Sequence, residues 1–105
     1  MALQTHTLEN PNVIEYVTFK QLNTASSAEL MQKAVATDAI LDEIDGYIKR
    51  YISRQDNGTW VEVVFWRDMD AAKIGLDAFL AHPDSKPFLD LIAPDSVVIE
   101  YSQVI

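Results

Sequence analysis

The chain has 105 residues, 49% of them hydrophobic and 23% charged, which suits a single domain with one core and excludes intrinsic disorder. A net charge of -8 argues against nucleic acid or an anionic membrane surface as a partner, because both would repel the chain. The absence of cysteine excludes disulfides, thiolate chemistry and cysteine-ligated metal sites.

The first twelve residues are polar and end in Asn10-Pro11-Asn12, which predicts a leader over residues 1–12 and one domain over residues 13–105. The leader has neither a basic segment nor a continuous apolar segment, and no run in the chain approaches the ~18 apolar residues of a membrane helix. We therefore expect a cytoplasmic protein.

Four segments have the composition of strands. Residues 13–20 and 96–104 are rich in β-branched and aromatic side chains. Residues 47–55 and 59–68 flank Asp56-Asn57-Gly58, which is a hairpin signal because asparagine and glycine tolerate positive φ.

Two segments have helix signals. Ser26 and Glu29 have the spacing of a capping box, and apolar residues then recur at helical intervals until Gly46, a typical residue after a helix end. Asp68 can cap a second amphipathic helix, which ends where the prolines of residues 83–94 bracket a short extra helix or turn.

The predicted order is β-α-β-β-α-β, the ferredoxin-like α+β fold, with a four-stranded antiparallel sheet and both helices on one face. If Phe19 and Phe65 mark the helix side, the odd-numbered residues of the first and third strands lie under the helices, and Glu15 is the one misfit. The even-numbered residues, including both tryptophans, then form a second face too apolar for solvent. This predicts a homodimer that covers it.

Short motifs carry a family resemblance: Val-Thr-Phe-Lys at 17–20, Gly-Tyr-Ile at 46–48, Val-Val-Phe-Trp-Arg-Asp at 63–68, and Ala-His-Pro at 81–83 followed by Pro-Phe at 87–88. Through them the chain resembles the dimeric α/β-barrel proteins over about residues 13–104, and most closely small proteins with an antibiotic-biosynthesis-monooxygenase-like domain. The resemblance implies a barrel of two sheets, with a ligand pocket on the inner face of each. It also implies a cofactor-independent monooxygenase, or a related enzyme, acting on an aromatic or phenolic substrate.

Two residues of the third predicted strand are the leading catalytic candidates. The resemblance makes Trp66 a wall of the pocket, although it could equally be core. Glu62 has apolar neighbours on its own face, so burial would raise its pKa and suit it to act as a base. The alternative is an ion pair between Glu62 and Arg50 or Arg54.

The hairpin register bears on that alternative. A two-residue turn would pair Glu62 with Ser53, whereas a three-residue loop would pair it with Ile52 and place Arg50 and Arg54 on its diagonals. The sequence leaves both registers open.

Four more residues of the same predicted face are candidates for substrate binding: Tyr16, Thr18, Trp60 and Glu100. Tyr16 together with Arg50 would stabilise a developing oxyanion. Packing with an ordinary hydrogen bond is the alternative role for the two hydroxyl side chains.

His82 is the only histidine of the predicted domain and the third catalytic candidate, as a general base. It could instead stabilise the C-terminus of the second helix. His6 lies in the leader, far from any spacing that would make a metal site with His82, and we expect neither a metal nor a cofactor.

Competing functions therefore remain. The chain is either an enzyme of the monooxygenase type or a non-catalytic dimeric module that binds a small hydrophobic ligand or acts in stress response. Haem binding is a third possibility, because some relatives use a tryptophan and a histidine for it.

Overall fold

The computed structural model describes residues 10–105, so most of the predicted leader lies outside the described residues. Its first described residues are tied to the sheet, since the backbone N–H of Asn12 donates to the carbonyl of Trp66 at 3.1 Å. The elements are β1 (Val13–Phe19), α1 (Ser27–Ala36), α2 (Asp38–Asp42), β2 (Tyr47–Arg54), β3 (Trp60–Trp66), α3 (Met69–Ala81), α4 (Lys86–Leu89) and β4 (Val98–Gln103), with 3-10 turns at Pro83–Ser85 and Pro94–Ser96.

The strands form one antiparallel sheet in the order β2-β3-β1-β4, and the helices cover one of its faces. This confirms the ferredoxin-like α+β fold. Both predicted N-caps are present: Ser26 Oγ accepts from the N–H of Glu29 at 3.0 Å, and Asp68 Oδ1 accepts from the N–H of Ala71 at 2.8 Å. Among the helices of residues 10–105, none combines the length and the apolar character that crossing a bilayer requires.

The first predicted helix does not run unbroken to Gly46. It is interrupted at buried Thr37, whose hydroxyl donates to the carbonyl of Ala34 at 2.6 Å. The N–H of Thr37 binds the same carbonyl, three residues back instead of four. A threonine side chain that competes for backbone groups in this way ends a helix locally, so α1 and α2 are separate.

The β2–β3 hairpin has the three-residue loop. Gln55 N–H donates to the carbonyl of Thr59 at 2.8 Å, and the loop ends in Gly58 with φ +91°. Ile52 therefore faces Glu62 across the ladder. Of the two registers that the sequence left open, this is the one that puts the arginines of β2 on the diagonals of Glu62.

The β1–β3 register shows that the predicted sheet faces were wrong for β3. Residues paired across a ladder share a face, and Glu15 pairs with Val64 while Phe19 pairs with Trp60. The even-numbered residues of β3 therefore lie under the helices, and Phe65 lies on the other face. Both faces of β3 are apolar, so the period-two pattern could not distinguish them, and a shift of one residue exchanges the faces.

The core lies between the sheet and the helices. Its largest fully buried side chains are Trp60, Trp66, Phe19 and Leu30. The opposite face of the sheet is open and partly apolar. Tyr16, Tyr51 and Val98 on that face are 41%, 55% and 52% exposed.

Candidate functional site

A cavity of about 520 Å³ lies between the sheet and the helix layer. The ligand pocket was predicted on the face away from the helices, whereas this cavity lies on the helix side, where the β3 register places Glu62 and Trp66. β1, β3, β4, α3 and the segment 86–97 contribute to the wall, which is mostly aliphatic and aromatic. The volume falls in the range of about 300–1,000 Å³ typical of small-molecule sites.

Glu15 is the most unusual group at this wall. Its side chain is only 4% exposed, and its Oε1 accepts a hydrogen bond from the indole N–H of Trp66 at 2.9 Å. The pKa of the Glu15 carboxyl is raised from 4.5 to about 7, chiefly by burial; the Trp66 bond lowers it, the charge of Glu62 raises it and the charge of Arg50 lowers it, each by less than burial does. Glu15 therefore exchanges a proton near neutral pH inside an apolar cavity.

Trp66 is held in place by its neighbours. Gly75 of α3 faces the ring so closely that a Cβ at this position would lie 2.3 Å from Cη2 of the indole. The ring of Tyr47 meets Trp66 edge to face, with 5.8 Å between the ring centroids. Gly75 thus allows the indole to pack directly against the helix, and this packing fixes the donor that Glu15 accepts.

Glu62 also lines the cavity, but it is held by Arg50, whose Nε lies 2.5 Å from Glu62 Oε2. The Arg50 side chain is 3% exposed. Its Nη1 donates to Ala34 O, Thr37 Oγ1 and Asp38 Oδ1 at 2.8 to 3.1 Å, so the break between α1 and α2 supplies acceptors for the guanidinium. The ion pair that the sequence left as an alternative is therefore present.

The guanidinium of Arg50 lies behind the cavity wall. Its Cζ is 6.0 Å from the ring centroid of Phe79 and 5.7 Å from that of Phe88, and both rings line the cavity. Its Nη2 is buried and has no hydrogen-bond partner among residues 10–105. Arg50, predicted to bind substrate, is placed to act through Glu62 and not by direct contact at the wall.

The predicted site residues of β3 divide between the wall and the core. Glu62 and Trp66 both line the cavity. Trp60 is buried in the same layer, but its N–H donates to Gln21 Oε1 at 3.0 Å and its ring stacks on Phe19, so it is a core residue away from the wall.

Three other predicted site residues lie on the opposite face. Tyr16 pairs directly with Val63 and with Glu100, and Thr18 pairs with Val98, all on the open side of the sheet. The expectation that Tyr16, Thr18 and Glu100 share a face with Glu62 is therefore wrong, for the same reason as the β3 assignment.

His82 lies outside the cavity wall. It follows α3, and its Nδ1 accepts from the backbone N–H of Asp84 at 3.1 Å, which caps the 3-10 turn Pro83–Ser85. This capping bond gives His82 a local structural role, and the structure does not bring His82 together with Glu62 and Trp66 at the cavity wall. In the part of the chain that the structure describes, no three histidine, aspartate or glutamate side chains come together as metal ligands.

Sequence reasoning missed Glu15 as a site residue. The signal was present, because Glu15 was the one acid on an otherwise apolar face of the first strand. A buried acid without a compensating role is costly, and perturbed carboxyls are concentrated at functional sites. The misfit therefore pointed to the cavity.

Comparison with models of protein families gives no match, and neither does comparison with curated proteins. Solved structures do match. One is SnoaB, a cofactor-independent oxygenase from Streptomyces nogalater, with a TM-score of 0.62, 18% identity, and coverage of 91% of this chain and 93% of the other. Another is a candidate antibiotic biosynthesis monooxygenase from Bordetella bronchiseptica, with a TM-score of 0.73, 11% identity, and coverage of 90% and 98%.

A third is a dimeric ferredoxin-like protein from an uncultured marine organism, with a TM-score of 0.63, 11% identity, and coverage of 92% and 90%. At these identities the likenesses show the fold. The chain thus has the ferredoxin-like fold of the antibiotic-biosynthesis-monooxygenase-like proteins, as the motif resemblance predicted.

Proposed function

We propose that this protein is a small-molecule enzyme of the cofactor-independent monooxygenase type. It takes an aromatic or phenolic substrate into the cavity under the helices and uses Glu15 as the base. The observation that carries the proposal is the Glu15 carboxyl, buried at an apolar wall with a pKa of about 7. A base of this pKa accepts a proton efficiently near neutral pH.

The reaction would begin with transfer of a proton from an enolic, phenolic or activated C–H group to Glu15. The deprotonated substrate supplies the electrons for O₂, a C–O bond forms, and the O–O bond then breaks with loss of water. For anthrone this converts a CH₂ group and one O₂ into a carbonyl and one H₂O. The indole of Trp66 holds Oε1 of Glu15, which leaves Oε2 to accept the proton.

Glu62 is the weaker candidate for the base. Its Oε2 is occupied by the short contact with Arg50, and a carboxylate held by a guanidinium is a poorer proton acceptor than a free one. We assign Glu62 to the wall of the cavity, where the contact with Arg50 holds its carboxylate in place.

The experiment is oxygen uptake with anthrone at pH 8, with anthraquinone measured as the product and the uncatalysed rate subtracted. We expect turnover by the wild type and a loss of at least a hundredfold in Glu15→Gln, because general-base catalysis contributes about 10²–10⁴-fold. Glu100→Gln removes a carboxylate from the open face and is the matched control, with unchanged turnover. Full turnover by Glu15→Gln would refute the assignment of the base, and a loss confined to Glu62→Gln would transfer the role to Glu62.

The alternative is a non-catalytic module that binds a small ligand. It is favoured by the fact that both glutamates of the wall already have a partner, Glu15 the indole of Trp66 and Glu62 the guanidinium of Arg50. Binding of phenolic ligands without oxygen uptake, by a protein that is otherwise folded, would favour this alternative.

We also propose that the protein is a homodimer, joined through the open face of the sheet. The support is the apolar character of that face, where Tyr16 and Val98 are about half exposed, and the dimeric neighbour of the same fold. Light scattering at micromolar concentration should give about 24 kDa, twice the 11.8 kDa of one chain. Tyr16→Glu should shift the mass to that of one chain, and a wild type that scatters as one chain would contradict the proposal.

A further inference from the structure

The cavity wall has a one-sided charge. Its ionisable side chains are Glu15, Glu62 and Asp90, all of them acids, and no lysine, arginine or histidine of residues 10–105 lines it. The rest of the wall is apolar apart from the Trp66 indole. The sign of charge at the wall is therefore negative, in a protein whose net charge is also -8.

The hydrogen-bonding groups of the wall also disfavour an anionic ligand. The side-chain donor is the indole N–H of Trp66, and Glu15 already accepts it. On the acceptor side, Oε2 of Glu15 and Oε1 of Glu62 have no hydrogen-bond partner among the described residues. The wall thus offers acceptors that need a donor, and its only side-chain donor is already taken.

Two cations near the cavity are already paired. Lys86 is exposed and its Nζ lies 3.0 Å from Oδ2 of Asp90. Arg50 lies behind Phe79 and Phe88, and its Nε and Nη1 are engaged by Glu62 and by three oxygens around the helix break. An anionic ligand in the cavity would lose its hydration, meet no cation at the wall, since the unpartnered Nη2 of Arg50 lies outside it, and lie beside the carboxylates. A neutral ligand that carries an O–H or N–H group would instead satisfy an unpartnered carboxylate oxygen.

We propose that the cavity selects apolar ligands bearing a hydrogen-bond donor and no anionic group, such as neutral phenols and aromatic amines, and that it excludes carboxylates, sulfonates and phosphate esters. This inference rests on the proposed function only in taking the cavity as the ligand site. It holds equally for an enzyme and for a binding module, because it concerns the charge of the ligand and not its reaction.

Two fluorescent probes with one framework test it. N-phenyl-1-naphthylamine is neutral and carries an N–H, and 1-anilinonaphthalene-8-sulfonate adds a sulfonate to the same rings. Binding in the cavity is defined as the probe binding that is lost in Leu76→Trp and kept in Ile74→Trp. Leu76 lines the cavity from α3, so a larger side chain there fills part of the cavity, whereas Ile74 is exposed on the same helix. We expect the wild type to bind the neutral probe at least tenfold more tightly.

Glu62→Gln provides the second arm, because it removes the carboxylate that lies between Arg50 and the cavity and leaves the guanidinium with only the exposed Asp38 as an ionic partner. We expect it to raise the affinity for the sulfonate at least tenfold and to change that for the amine little, while Glu100→Gln changes neither. Glu15→Gln is an independent variant, and it should also raise the affinity for the sulfonate. Equal affinity for the two probes in the wild type would overturn the charge selection and leave the proposed function standing. No cavity binding of either probe would overturn the ligand site, and the proposed function with it.

Discussion

The indole N–H of Trp66 donates to the carboxyl of Glu15 across the two central strands at 2.9 Å, with both side chains almost completely removed from water. The bond joins the last residue of β3 to the middle of β1, below a glycine of α3. It gives one oxygen of Glu15 a fixed partner and leaves the other to the cavity. The central property of the site, a carboxyl that titrates near neutral pH, follows from this pair and its burial.

The raised pKa of Glu15 makes stability depend on pH. The native state binds the proton of the Glu15 carboxyl more tightly than the unfolded chain does. The stability that this proton contributes is therefore complete below pH 4.5 and is lost as the pH rises to about 7. The loss should be about 3 kcal/mol from a shift of this size. Urea unfolding of the wild type and of Glu15→Gln, each at pH 4.5 and pH 8, measures this loss. The free energy of unfolding of the wild type, relative to that of Glu15→Gln, should be lower at pH 8 than at pH 4.5. The same relative value at both pH values would contradict the titration of a buried Glu15.

Replacing Trp66 by phenylalanine should raise the pKa of Glu15 further, because the indole bond favours the ionised carboxyl. The lost hydrogen bond should also destabilise the fold by about 1–3 kcal/mol. A carbon-13 NMR titration of the glutamate carboxyls reports the pKa directly. Trp60→Phe is the matched control, since Trp60 bonds to Gln21; a shift of the Glu15 titration in that variant as well would mean that the indole bond is not the cause.

Gly75→Ala tests the packing that holds Trp66. In an ordinary helix this change is stabilising by about 1 kcal/mol. Here the added methyl would lie 2.3 Å from the indole, so we expect destabilisation of about 1–3 kcal/mol and a change in tryptophan fluorescence. Chemical unfolding followed by fluorescence measures both. A stabilised Gly75→Ala protein with an unaltered spectrum would show that the helix and the indole are not in contact.

Arg50→Met should be destabilising, by about 3 kcal/mol, at the lower end for a buried pair, because it leaves the partly buried Glu62 without its cation. The double variant Arg50→Met, Glu62→Gln should recover part of that loss. Arg67→Met removes a guanidinium that makes only exposed ion pairs, and it should have a much smaller effect. Equal effects of the two arginine replacements in urea unfolding would contradict a buried role for Arg50.

The architecture could be predicted from the sequence because its signals are local. The caps at Ser26 and Asp68 and the hairpin glycine each specify backbone geometry within a few residues, and together they define the order of the elements. The break at Thr37 was not predicted, because apolar spacing alone does not report a side chain that competes for the carbonyl of Ala34.

The site was harder to predict because it depends on which face of β3 meets the helices. That face is set by pairing with β1, a long-range property, and both faces of β3 are apolar. Trp66 and Glu62 were predicted as site residues, yet on the wrong side of the sheet. Glu15 was passed over as a misfit in the core. The pairing that brings Glu15 to the same wall as Trp66 is visible only in the fold.

The pH dependence of kcat for anthrone oxidation, measured between pH 5 and pH 9, tests most directly whether Glu15 is the catalytic base. Proton abstraction by Glu15 requires its ionised form, so activity should fall about tenfold for each pH unit below the pKa of about 7. Glu15→Gln should show a low rate without this dependence. A wild-type profile that is flat between pH 5 and pH 8 would contradict the assignment of Glu15 as the base.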